Sequence, residues 1–223
     1  MAGERLDEQA MALRAVKEFQ DGMVVNLGVG IPTLCSLYVP PERDIFFHSE
    51  NGIIGFGPVV TDPAEADVNL VNASIQPVKP RPGMAIVDHA ESFAIIRGGR
   101  IDITVLGAIE VSEKGDLANH HLPGKPIGSL GGGMDLAFNA KKVIALMTHT
   151  TKDGRPKIVR ELTQPLTVPR CVKLIITDIA VIEVTPQGLL LKELVPGWTP
   201  EEVQALTDAP LRVAEDLKVM ELL

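Results

Sequence analysis

Apolar and polar positions change their spacing several times along this chain, and each change marks a boundary. Between residues 4 and 20, Leu6, Ala10, Leu13, Val16 and Phe19 recur at helical intervals among charged positions. That stripe predicts one helix, ended by Asp21-Gly22 with Gly22 as a left-handed cap. Met23-Val24-Val25-Asn26-Leu27 reads as a buried strand. It leaves through Gly28-Val29-Gly30-Ile31-Pro32, where the proline suits the first turn of a short helix. Ile45-Phe46-Phe47 opens the next strand, which stops at Asn51-Gly52, a dipeptide that favours positive φ and therefore a tight turn. Residues 59 to 83 are rich in Pro, Asp and Asn and predict irregular chain.

Further along, residues 83 to 87 predict a strand. Asp88 suits the N-cap of a helix over 89 to 97 that Gly98-Gly99 closes. Residues 101 to 106 and 143 to 147 predict two more strands. The stretch from Glu113 to Gly133 reads as loop, with Pro123-Gly124-Lys125-Pro126 inside it, and a loop of that length is usually functional. Residues 151 to 170 are polar and basic, a solvated connection or an excursion toward a ligand or a second protein chain. Two antiparallel strands, 174 to 184 and 189 to 194, are joined by Thr185-Pro186-Gln187-Gly188. Thr199-Pro200-Glu201-Glu202 has the form of a capping box and starts a helix over 200 to 206. No linker or internal repeat interrupts this order, so residues 1–223 are expected to form one α/β domain.

Composition removes several function classes. Lys plus Arg number 21 against 29 acids, a formal net charge of −8. That balance repels a phosphate backbone, and aromatics at 4% give few surfaces on which bases could stack. No nucleic-acid or membrane partner is expected. Cys35 and Cys171 stand far apart with no Cys-x-x-Cys pair, and His120-His121 has no companion ligands nearby, so no metal site is expected. The first residues lack an apolar core, and no run reaches the length of a membrane span, so a cytoplasmic protein is the expectation.

Glu50 is the candidate for chemistry. It sits where a strand stops and the backbone bends, at the edge where open α/β sheets bind ligands. By the local pattern alone, a surface Glu ahead of a hairpin turn fits as well. Likewise, Gly28-Val29-Gly30 between a strand and a helix start can cradle an anion or simply make a turn. Thr33 stands where a dinucleotide fingerprint would need its third glycine, which disfavours an NAD site.

The string Phe47-His48-Ser49-Glu50-Asn51-Gly52-Ile53-Ile54-Gly55 resembles the active-site signature of the B (β) subunit of 3-oxoacid CoA-transferases, members of the family I CoA-transferases. The segments Asn26 to Thr33, Leu106-Gly107-Ala108, Gly115 to Asn119 and Gly131-Gly132-Gly133-Met134-Asp135-Leu136 extend the likeness from about residue 6 to about residue 210. The resemblance implies an α/β open-sheet sandwich of the CoA-transferase (NagB/RpiA/CoA-transferase-like) type, with Glu50 as covalent nucleophile. It implies Gly131 and Gly132 as oxyanion donors, with Gly133 standing where the family has Ala. It also sets Gly28, Gly30 and Pro32 beside the pantetheine arm and acyl group of coenzyme A, with Asn51 and Gly52 at the nucleophile's turn. Asn51 either orients the Glu50 carboxylate or only makes the turn. The chemistry needs no cofactor, since coenzyme A is a substrate.

On this resemblance CoA moves between succinyl-CoA and a 3-oxoacid such as acetoacetate. A homologous A subunit is the implied partner, in an A2B2 assembly. A 3-oxoadipate enzyme is the near alternative. A non-catalytic ligand-sensing domain and a sugar-phosphate isomerase of similar fold are the alternatives of other classes.

Overall fold

The computed structural model describes residues 3–121 and 130–222; the Pro123-Gly124-Lys125-Pro126 stretch lies outside them. Helix α1 spans Glu8–Val16, started by the Asp7 carboxylate accepting from Ala10 N at 2.8 Å. The helix is shorter than the apolar stripe suggests. Its buried face is Met11, Ala12, Arg14, Ala15 and Val16, while Leu6, Ala10 and Leu13 are only half-buried. Phe19 is buried beyond its end. Gly22 does take a left-handed φ of 85°, but it turns the chain into the next strand rather than capping α1.

Strand β1 is Val24–Leu27, and the chain after it forms a 3-10 helix over Ile31–Leu37 instead of an α-helix. Thr33 and Ser36 explain the tighter winding, because each hydroxyl donates to a carbonyl three residues back. Such local bonds compete with the α-helical ladder. A hairpin follows, β2 (Phe46–Ser49) and β3 (Ile53–Phe56), and then irregular chain to a two-residue strand β4 (Ala85–Ile86). Helix α2 (His89–Arg97) starts and stops where the sequence places it, with Asp88 accepting from Glu91 N.

Strand β5 is Ile103–Leu106 and β6 is Glu110–Ser112, and the stretch from Glu113, read as loop, contains β7 (Leu117–Ala118). Helix α3 is Gly133–Asn139 and β8 is Lys142–Leu146. The polar excursion contributes β9 (Ile158–Val159). What looks like one strand from 174 to 184 is two, β10 (Val172–Ile176) and β11 (Ala180–Thr185). The Thr177 hydroxyl accepts from Ile179 N and Ala180 N and so folds the apolar run into a hairpin. Strand β12 (Gly188–Leu194) leads to helix α4 (Pro200–Ala205), whose capping box is complete, and to β13 (Leu211–Val219), which the sequence pattern did not announce.

Ten strands form one mixed sheet in the order β13-β12-β11-β10-β8-β5-β1-β2-β3-β4. Its middle, β10-β8-β5-β1-β2, is parallel, and antiparallel hairpins extend it on both sides. The parallel strands read as near-continuous Val, Ile and Leu because both sheet faces are covered. Val25 packs in the larger core with α1, while its neighbour Val24 packs with Ile96, Ile101 and Leu136 under α2 and α3. Successive side chains point to opposite faces, so α1 lies on one side of the sheet and the α2–α3 pair on the other. Strands β7, β6 and β9 make a separate three-stranded sheet.

Candidate active site

The chain leaves β1 toward β2 on one side and later returns to β5 on the other. At such a switch point the carboxyl ends of neighbouring strands diverge and leave a crevice. A cleft of about 620 Å³ opens there. Its floor is the three strand exits, Leu27-Gly28-Val29, Glu50 and Leu106-Gly107-Ala108. Its rim includes Ala73, Ser74, Asn119, His120 and the run Leu130 to Gly133.

Glu50 occupies the first position of a three-residue hairpin loop between the paired Ser49 and Ile53. Gly52 closes the loop with φ 111° and donates to Ser49 O at 2.9 Å. A side chain at Gly52 would drive into Val87 O, and that segment cannot step aside because Val87 N is bonded to Gly52 O. Both neighbours of Glu50 are tied to one facing segment. Ser49 Oγ accepts from Ala73 N at 2.8 Å, and Asn51 Nδ2 donates to Val71 O at 2.7 Å. Asn51 thus braces the turn and does not reach the Glu50 carboxylate. The nucleophile candidate is left half-buried on a rigid bend, facing the cleft.

Across the cleft, Gly132 N donates to Glu50 Oε1 at 3.2 Å. A Cβ on Gly132 would lie 2.5 Å from Oε2 and 2.7 Å from the carboxyl carbon, so only glycine lets the backbone approach this closely. Gly131, with φ 49°, lies beside the same carboxylate; its Cβ position is 3.7 Å from Oε1. Gly28 lines the floor, held by its N–H to Val105 O at 2.8 Å. Gly30, Pro32, Asn51 and Gly52, expected beside the substrate, are not among the residues that line the cleft.

His48 is fully buried and faces away from the cleft. Asn26 Nδ2 donates to its Nδ1 at 3.1 Å and to its carbonyl at 3.0 Å, so Nε2 carries the proton and donates to Ser92 Oγ at 3.1 Å. Burial pushes its pKa down to about 4, which keeps it neutral. It pins β2 to β1 and α2 two residues ahead of Glu50 and takes no part as a base. Asp135, read from sequence as a loop or helix-start residue, lies in the first turn of α3 and pairs with Arg97 at 2.7 Å.

Sequence reasoning did not assign Asn119 and His120 to the site. Both line the cleft and both are held by Thr167, 48 and 47 positions away. The Gly115 to Asn119 segment is a local signal, but the Thr167 hydroxyl that fixes both side chains is too far along the chain to be read from it. Among the described residues no three His, Cys, Asp or Glu side chains gather as a metal site, and no helix is long and apolar enough to cross a membrane.

The profile of the coenzyme A transferase family matches residues 9–206. The B subunit of the 3-oxoadipate CoA-transferase of Acinetobacter baylyi is 46% identical over 215 residues, covering 95% of this chain and 97% of that one. The rat mitochondrial succinyl-CoA:3-ketoacid coenzyme A transferase 2A is 47% identical over 210 residues, 93% of this chain and 40% of the relative. Among solved structures, an acyl-CoA transferase of Escherichia coli O157:H7 superposes with a TM-score of 0.77 at 26% identity, over 98% of this chain and 45% of that one. This chain therefore spans less than half the length of the last two.

Proposed function

The chain belongs to the coenzyme A transferase family, and from that premise we propose that it carries the nucleophile of a 3-oxoacid CoA-transferase, with Glu50 in that role. The observation that supports this most is the Glu50 carboxylate on a rigid bend in the cleft, 3.2 Å from the Gly132 N–H. A carboxylate needs no proton removed before it attacks, which agrees with the absence of a base role for His48.

Glu50 attacks the thioester carbonyl of an acyl-CoA and expels CoA thiolate, leaving a mixed anhydride. The thiolate attacks the glutamyl carbon and expels the free acid, leaving a glutamyl-CoA thioester. A second acid reverses the two steps and departs as its CoA ester. No proton is gained or lost, and the thioester energy is retained. This is covalent, ping-pong catalysis. The acyl pair is succinyl-CoA with a 3-oxoacid, as the name of the rat relative supports, and acetoacetate is the 3-oxoacid of this proposal; the Acinetobacter relative's name supports 3-oxoadipate as the second reading. An A subunit completes the enzyme, as the subunit naming of the Acinetobacter relative supports, and the proposal takes it to be homologous and the assembly to be A2B2.

Intact mass spectrometry on the chain co-expressed with an A subunit tests this. Acetoacetyl-CoA or succinyl-CoA should add one CoA to this chain, removable by hydroxylamine and absent in Glu50→Ala. A folded, CoA-binding complex that gives no adduct with either acyl-CoA would sink the proposal. An adduct with 3-oxoadipyl-CoA alone would select the second reading.

A further inference from the structure

The two tetrahedral intermediates of this chemistry place their charge on different oxygens. When the thiolate attacks the glutamyl carbon, the electron pair moves onto a Glu50 oxygen. Gly132 N already donates to Oε1, so that oxyanion has its donor. In the preceding step the free oxygen, Oε2, attacks the acyl carbon. The pair then moves onto the acyl oxygen, a different atom from the Glu50 Oε1 that Gly132 N engages. The next backbone donor along the run is spoken for, since Gly133 N donates to Leu130 O at 3.1 Å.

Asn119 offers a side-chain donor in the same cleft as Glu50. Its Nδ2 is 3.7 Å from the Cβ position of Gly133, on the cleft rim. Its orientation is fixed by Thr167. The Thr167 hydroxyl has one proton, and Asn119 Oδ1, 2.9 Å away, can only accept, so the proton goes there. Thr167 Oγ1 in turn accepts from Asn119 N at 3.1 Å and from His120 Nδ1 at 2.9 Å. With Oδ1 held, the amide must turn its Nδ2 donors the other way. Nδ2 makes no hydrogen bond within the described residues. A preorganised donor that no described residue engages is suited to a charge appearing only in the transition state.

We propose that Asn119 Nδ2 is a catalytic oxyanion donor for the acyl-centred intermediate, complementary to Gly132 for the glutamyl-centred one. The inference rests on Glu50 being the nucleophile. Thr167 is then a positioning residue that holds the amide in register.

The test separates the two intermediates. Formation of the glutamyl-CoA adduct from acetoacetyl-CoA passes through both. Hydroxylamine attack on the preformed adduct passes only through the glutamyl one. Asn119→Asp keeps the shape and loses the donor. It should slow adduct formation about 100-fold and change hydroxylaminolysis less than twofold. Asn119→Ala should follow it, and Thr167→Val should show the same selectivity more weakly. Equal slowing of both reactions, or slowing of neither, overturns the proposal while leaving Glu50 untouched. Failure of the wild-type complex to form any adduct overturns the transferase mechanism itself, and this inference with it.

Discussion

A carboxylate that must attack a thioester has to be exposed to its substrate and yet fixed. Glu50 meets both needs because its neighbours, not its own side chain, carry the fixing bonds to Val71 and Ala73. The carboxylate itself spends one oxygen on Gly132, and among the described residues the other has no hydrogen-bond partner. The clearest single-residue prediction concerns that glycine. In Gly132→Ala the new methyl would sit 2.5 Å from Glu50 Oε2, so the loop must retreat and the donor with it. Loss of one such donor costs about 3 kcal/mol in the transition state, so kcat should fall roughly 100-fold or more. The thermal midpoint should move little, since the site is at the surface of the cleft. Steady-state kinetics beside a melting curve check both halves; an unchanged kcat would exclude the donor role. Glu50 was legible in the sequence because a strand end, an Asn-Gly turn and a specific string coincide there. Asn119 was not, because what makes it a donor is a hydroxyl 48 positions away.

At the scale of elements, local chemistry predicted ends better than spans. The N-caps Asp88 and Thr199 were readable because each cap and the N–H it accepts from lie within three residues. Strand β13 was not, because it is an edge strand with only Ala214 buried, and its charged positions mask any alternation. Helix α1 shows how a tertiary partner overrides a stripe. Its buried charge, Arg14, bonds Glu193 of β12 through two nitrogens at 2.6 and 2.7 Å and Glu18 at 2.8 Å. Glu18 also meets Lys142 of β8 at 2.7 Å. Burial opposes these charges, but the cations hold the Glu18 carboxyl below its usual range. Arg14→Met takes the cation from the largely buried Glu193, leaves Glu18 with Lys142 alone, and should cost about 3 kcal/mol of stability, read from urea midpoints. Adding Glu18→Gln and Glu193→Gln should recover most of that loss. A triple variant as unstable as the single one would show that packing, not charge, holds α1 down.

For the whole molecule, two neutral histidines set the acid limit. His48 beside the site and His149 just past the end of β8 are both buried, and both are pushed down to about 4 by burial. His149 is enclosed by Thr177 and Thr207 hydroxyls at 3.0 and 2.8 Å. In the unfolded chain both groups titrate near 6.5, so as pH falls below that value the unfolded state takes up protons first. Their contribution to stability is complete above about pH 6.5 and drains away toward pH 4, roughly 3 kcal/mol for each. Urea midpoints should fall steadily across that window; a flat profile from pH 7 to 4.5 would contradict the buried neutral state. The order of the sheet carries another consequence. Glu50 and Gly132 touch across 82 positions, with β3, β4, α2 and β5 to β7 lying between them in the chain. Contacts of such long separation close late, after loop-closure entropy has been met by the strands that precede them. Regain of turnover during refolding should therefore lag behind regain of the circular-dichroism signal, making catalysis itself a clock for the last loop to dock.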